Sequence, residues 1–260
     1  MLSIPLAWLD WLTHEAEANR LPHFDLLLDA TGLPEPLPPA TAGQPNSRLF
    51  DNMPEQALAE QGPHLRRFRL DDPVQLASAR ILIDQLGEGR ILALFSKWPF
   101  DTLTTHLRHA TQAHWGKGRH SGLLRYYDPR LFRVCCETLL PSQSAWFHAP
   151  VSMWYWRDST GQPQQWPGVP QHPEDTHLPL PELHLSDAQL FELVAWSDAV
   201  RFCDSQALIH RDMGLPSQDA LHRHVVNGLW AARRAQVGEA DRDEFLLGWI
   251  EREQHGSSLA

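Results

Sequence analysis

The side chains that could do chemistry are spread along this chain, and no catalytic signature gathers them. Asp29, His106, Arg108 and Arg125 are the polar residues a hydrolase-type site would use. Such a site requires a deep pocket where these groups converge with shifted pKa values. Asp29 ends a short apolar run, FDLLLDA from Phe24 to Ala30, which places it at the carboxyl end of a predicted buried strand. A catalytic carboxylate and a capping or turn carboxylate both fit that position. Fifteen histidines raise the question of a metal. The tightest grouping is His210 and Asp212 with His222 and His224, but two residues two apart on a helix point in different directions. There is no HExxH and no Cys/His pair at zinc-finger spacing. GxSxG, Walker and GxGxxG strings are missing too. Cys135 and Cys136 fall on a predicted buried helix face, where thiols are inert. The residues therefore assign no catalytic group, no metal and no cofactor.

The elements that must position these groups centre on Asp101 to Leu140. This stretch reads as helix, hairpin and second helix, with a sharp strand-to-helix corner at YYDPR. Asp101 is the expected N-cap of the first helix, and Leu103, Leu107 and Ala110 share one face. Ala113–Trp115 and Leu123–Tyr127 bracket a turn holding Gly116 and Gly118, a hairpin pattern. In the second strand Leu124 and Tyr126 would face one way, with Leu123, Arg125 and Tyr127 the other. Pro129 drives Asp128 out of the α region, which leaves Asp128 as an N-cap with proline at the first helical position. Leu131, Cys135 and Leu139 then make the buried stripe, Arg133 and Glu137 pair outside, and Pro141 closes the helix.

Around this centre, residues 4 to 18 carry Ile4, Trp8, Trp11 and Leu12 on one helical face. The proline-rich stretch 34–47 reads as a loop. His64–Leu70 and Arg90–Ser96 are strand candidates, separated by a helix that Asp72-Pro73 opens and Gly87 ends. Phe147–Trp156 looks like a strand in two parts, followed by a turn at Asp158–Gln162. After Trp166 the chain is proline-rich and aperiodic to residue 185. Ser186 with Gln189 is a capping box, and Leu190, Leu193, Val194, Ser197 and Val200 continue that helix's expected buried face. Two more helices follow, from Gln218 and from Asp241. The expected fold is thus α+β: a mixed α/β lobe with a mostly antiparallel sheet over residues 1–166, a linker over 167–185, and a small all-helical lobe over 186–260.

Composition narrows the function classes. With 42% hydrophobic residues and 260 in all, the chain is long enough for sizeable cores. A net charge of −10 argues against a general nucleic-acid role. An odd count of three cysteines, two adjacent, supports no disulfide framework and fits a reducing cytosol. The N-terminus has no signal-peptide pattern, and no apolar run is long enough for a membrane span. From Lys97 to Arg133 seven bases face two acids, a net +5 against the trend of the chain. Either an electropositive surface receives an acidic partner, or Arg125 or Arg108 pairs internally with Asp128 or Asp29 at the corner. Trp154, Trp156 and Trp166, beside the proline-rich join, are candidate partner-binding aromatics, with ordinary core as the other reading.

At His106–Arg108 (HLR) and Leu123–Arg130 (LLRYYDPR) the chain resembles the effector-chaperone, or adaptor, family of the bacterial type VI secretion system. Weaker pieces follow in family order: Leu28-Asp29-Ala30, Leu49-Phe50, Gly62-Pro63-His64-Leu65, Phe147, Pro150 and Leu185–Leu190. His64 stands where the family usually has an aromatic. The resemblance implies a cytoplasmic protein without enzymatic activity that holds a cognate toxic effector and helps load it onto the spike protein VgrG. His106, Arg108, Arg125, Tyr126, Tyr127, Asp128, Pro129 and Arg130 would be its motif residues, serving either the fold or the partner.

Overall fold

The computed structural model describes residues 8–158, 160–172 and 180–256. It divides into two compact units, Met1–Leu185 and Ser186–Ala260. In chain order the first unit begins with Trp8–Ala18 (α1), His23–Asp29 (β1), Asn46–Arg48 (β2), Pro63–Arg69 (β3), Pro73–Leu86 (α2) and Ile91–Phe95 (β4). It continues with Phe100–Ala110 (α3), Gln112–Trp115 (β5), His120–Leu123 (β6), Pro129–Thr138 (α4) and Pro141–Phe147 (α5). Met153–Arg157 (β7), Pro163–Pro167 (β8) and Leu183–His184 (β9) complete it.

The apolar run at residues 24–29 is buried at every position because β1 lies inside a sheet covered on both faces. That sheet has six strands in the order β2-β3-β1-β4-β7-β8, and every neighbouring pair is antiparallel. Alternation sends Phe24, Leu26 and Leu28 to one face, where they meet Phe68, Ala93, Phe95 and Tyr155 under α1 and α2. Asp25, Leu27 and Asp29 point to the other face. Trp154 lies on that face too, roofed by the rings of Phe132 (4.9 Å), Phe147 (6.0 Å) and Tyr126 (6.4 Å). A second sheet, β6-β5-β9, joins β5 antiparallel to β6 and parallel to β9.

One sheet edge is closed by its own composition. Asp158 and Gly168 donate their N–H groups to Gln162 and Ser152, so Gln164 and Trp166 point their N–H groups at β7. The outward positions of β8 are then Pro163, Gln165 and Pro167, and two of these three have no N–H to offer a further strand.

The second unit holds Asp187–Ser205 (α6), Gln218–Arg234 (α7) and Arg242–Gly256 (α8). Ser186 and Gln189 form the expected capping box, and Leu221, Val225, Leu229 and Ala232 are buried along α7.

Several expectations need correcting. Asp101 caps nothing: α3 starts at Phe100 behind Pro99, and Asp101 sits in the first turn. The strand expected over Leu123–Tyr127 ends at Leu123, because Leu124 N–H bonds to Thr111 O and Tyr126 turns inward. Leu131 is only half-buried, while Phe132, Val134, Cys135 and Cys136 are buried on α4. Pro141 opens α5, so Phe147 ends a helix and the strand starts only at Met153. On α6 the buried residues are Gln189, Ala195, Trp196, Ala199, Val200, Phe202 and Cys203, and Val194 stands 48% exposed. The expected linker 167–185 is tied down at both ends. Gly168, Val169 and Gln171 donate to Ser152, His148 and Ala149 carbonyls, and Leu183–His184 form β9. Gly168 passes so near that a Cβ there would lie 1.6 Å from Val151 O. Residues 173–179 of that stretch, Ile4, and residues 257–260 lie outside the described residues.

Candidate functional site

The strand-to-helix corner gathers the residues singled out by their chemistry. Asp128 is extended (φ −81°, ψ 114°), and its Oδ1 accepts the N–H of Arg130 at 3.1 Å, capping α4. Its carboxylate also takes a two-pronged bond from Arg130, Nε to Oδ1 at 2.9 Å and Nη2 to Oδ2 at 2.8 Å. Arg125 Nη2 lies 3.2 Å from Asp128 Oδ2 and 3.6 Å from Asp29 Oδ2. Both carboxylates are buried, with side chains only 3% exposed, so each needs a cation. Asp29 Oδ1 accepts the N–H of Thr31 at 3.0 Å, which makes it a turn carboxylate as well as an ion-pair partner. The internal-pairing reading of the corner therefore holds for Arg125, Asp29 and Asp128.

Pro129 is buried at the first position of α4. The two tyrosines lock the corner beneath. Tyr126 is fully buried and donates its hydroxyl to Leu107 O at 2.8 Å, and burial pushes its pKa well above 10. Tyr127 is pushed up to about 12, mainly by burial, with the nearby Arg125 guanidinium, 6.0 Å from its ring, opposing the shift. Its ring meets Phe50 edge-on at 6.1 Å, and a Cβ on Gly62 would lie 2.4 Å from that phenylalanine ring. Arg108 donates to Leu49 O at 3.2 Å and to Ser47 Oγ at 3.3 Å. Segments 28–30, 47–50, 62–65, 106–108 and 123–130 thus form one connected assembly.

His106 takes no part in the corner's ion pairs. Its Nε2 bonds to Phe147 O at 3.3 Å, and its ring packs against Trp98 and Trp146. Burial lowers its pKa to about 4, and the carbonyls of Phe147 and Trp146 offset part of that shift. His148 accepts from Trp154 Nε1 at 2.9 Å, and its pKa is likewise lowered to about 4, by burial first and by His106 second. Two neutral imidazoles therefore lie side-chain deep in this layer. The four-residue hydrolase cluster is not assembled: Arg125 alone reaches Asp29, while His106 and Arg108 bond to backbone carbonyls elsewhere.

Trp154 and Trp156 are core residues, 0% and 3% exposed, because β7 runs between β4 and β8 with its face under Phe132. They present no surface to a partner. Trp166, on the edge strand, is half-buried and stacks on His148. Burial raises all three cysteine thiols well above their usual range, which suits inert packing groups. Among the described residues no three His, Cys, Asp or Glu side chains group as a metal site.

One buried ion pair was not foreseen. Asp25 and Arg67 face each other across β1 and β3, joined at 2.8 and 2.9 Å, with Arg67 also donating to Trp98 O. The signal was there: Asp25 shares a strand face with Asp29, and a carboxylate inside an apolar run demands a cation, which RRFR at 66–69 could supply.

Residues 26–145 match the family model described as Domain of unknown function (DUF4123). No curated protein and no solved structure matches the chain. The matched segment runs from β1 into α5 and contains both the HLR helix and the corner. No helix among the described residues is long and apolar enough to cross a membrane.

Proposed function

We propose that this protein is a cytoplasmic adaptor that binds a cognate type VI secretion effector, keeps it soluble, and helps load it onto VgrG, without enzymatic activity of its own. The observation that carries this reading is that the family-model match over 26–145 falls on the same segment as the HLR and LLRYYDPR motifs, on which the adaptor resemblance rests. The chemistry of the corner supports it. Its carboxylates and arginines are engaged with one another, which is how a scaffold uses charge and not how a catalytic site keeps groups available. The buried tyrosines, cysteines and histidines favour the same view, since each is held in its neutral form by burial.

The test is a pull-down of the tagged full chain from its native cell, read by mass spectrometry. A large multidomain toxin in the eluate, with VgrG, is the expected result, and that toxin should lose solubility when the adaptor is deleted. A toxin whose solubility and delivery are unchanged by the deletion would contradict the reading.

A further inference from the structure

In the helical unit, α6 and α7 bound an open groove of about 390 Å3. Phe191, Val194, Ala195 and Asp198 line it from one face of α6, Leu229, Ala232 and Arg233 line it from α7, and Gln236 lines it from the turn beyond α7. Ala195, Leu229 and Ala232 are already buried at its base, so the apolar surface it offers is that of half-buried Phe191 and of Val194, which is exposed. Val194 belongs to the stripe whose pattern suits a core, yet the described residues of its own unit leave it uncovered.

The charges say what kind of segment fits. Arg233 lies over the Phe191 ring at 4.3 Å and over Trp230 at 5.4 Å, so its guanidinium is held at the rim with little freedom to lose. Arg242 lines the groove's far end. Among the described residues neither arginine makes an ion pair, whereas Asp198, the acid of the lining, is bonded to Arg201. The lining is therefore flanked by two cations that pair with no carboxylate among the described residues.

We propose that this groove receives an amphipathic helical segment of the effector, with an apolar stripe toward Phe191 and Val194 and carboxylates toward Arg233 and Arg242. The inference rests on the adaptor reading for the identity of the partner, and on the groove alone for its chemistry. A helix laid in a groove of this kind presents its anchors at i, i+3, i+4 and i+7.

The test uses the full chain and a labelled amphipathic peptide of about four helical turns, leucine on one face and glutamate flanking it, beside its glutamine counterpart. Fluorescence anisotropy should show saturable binding of the glutamate peptide, weaker by about tenfold or more for the glutamine peptide or for the Arg233→Glu/Arg242→Glu protein. Val194→Asp should abolish it with the thermal melt unchanged. Failure of the glutamate peptide to bind, equal binding of the two peptides, or indifference to Val194→Asp would overturn the proposal. A concentration-dependent dimer dissolved by Val194→Asp would give the groove to a second copy and overturn it as well. Effector captured equally by wild type and Val194→Asp would remove the groove and leave the adaptor function standing. Peptide binding without any effector capture would do the reverse, limiting the proposal to the groove's chemistry.

Discussion

At the corner of the α+β unit, Arg125 and Arg130 face two buried carboxylates; in the groove of the helical unit, Arg233 and Arg242 make no ion pair among the described residues. The same residue type serves opposite ends. A buried carboxylate without its cation is costly, so the corner's arginines are committed to the fold. An exposed arginine stacked on aromatics carries no such debt and keeps its fork for a partner. The corner's engaged charges support the fold, and on the proposed reading binding chemistry falls to charge that is left open.

The largest effect that could break this contrast is at Asp128. Asp128→Ala removes a helix cap worth ~1 kcal/mol and the shared carboxylate partner of Arg125 and Arg130, whose side chains are 38% and 52% exposed, for a total loss of ~2–3 kcal/mol. Urea unfolding should show it as a lower midpoint. Unchanged stability would mean that the corner's charges are not holding the fold.

Acid comes next. His106 and His148 have folded pKa values of about 4 against 6.5 for an unperturbed imidazole, mainly because both are buried. The unfolded chain binds protons that the folded chain refuses. The stability tied to these rings is thus fully present above pH 6.5 and is lost as pH falls toward about 4. Together the two rings carry on the order of a few kcal/mol. Unfolding free energies measured across that window should slope downward toward acid, and His148→Gln should flatten the slope. An unaltered slope in that variant would remove His148 from the account.

How much of this was legible in the sequence divides along the range of the interactions. Most local capping chemistry was: Asp72 before Pro73, Asp128 before Pro129 and Ser186 with Gln189 each act within one helical turn, while Asp101 failed as a cap because α3 starts one residue earlier, behind Pro99. The internal pairing of Arg125 was one of two readings the sequence left open, and the structure pairs it with Asp128, three residues away, and with Asp29. What depended on distant chain was not legible. Trp154 and Trp156 read either as partner contacts or as core, and their place on β7 between β4 and β8 makes them core. Asp25 meets Arg67 across 42 residues, and Tyr126 leaves its expected strand for the carbonyl of Leu107. The α6 stripe teaches the same point. Its period identified an apolar face, but only the placement of α7 shows that Val194 stays outside.

A smaller loss sharpens the corner half of the contrast. Tyr126→Phe deletes one buried hydrogen bond to Leu107 O and should cost ~1–2 kcal/mol in a thermal or urea melt. A neutral substitution would mean that the hydroxyl is not anchoring the turn. The smallest effect belongs to the groove: Arg233→Glu should cost about 1 kcal/mol, since the exposed side chain gives up its contacts with the Phe191 and Trp230 rings and a favourable charge in the last turn of α7.

The most direct test puts Asp128→Ala and Arg233→Glu side by side, measuring the melt of each and its capture of the effector identified with the wild-type chain. The account predicts that Asp128→Ala melts early and loses effector only in proportion to its unfolded fraction, while Arg233→Glu melts closer to wild type and loses effector. Asp128→Ala with a normal melt and no effector, beside Arg233→Glu with full capture, would contradict it and move the binding surface to the corner.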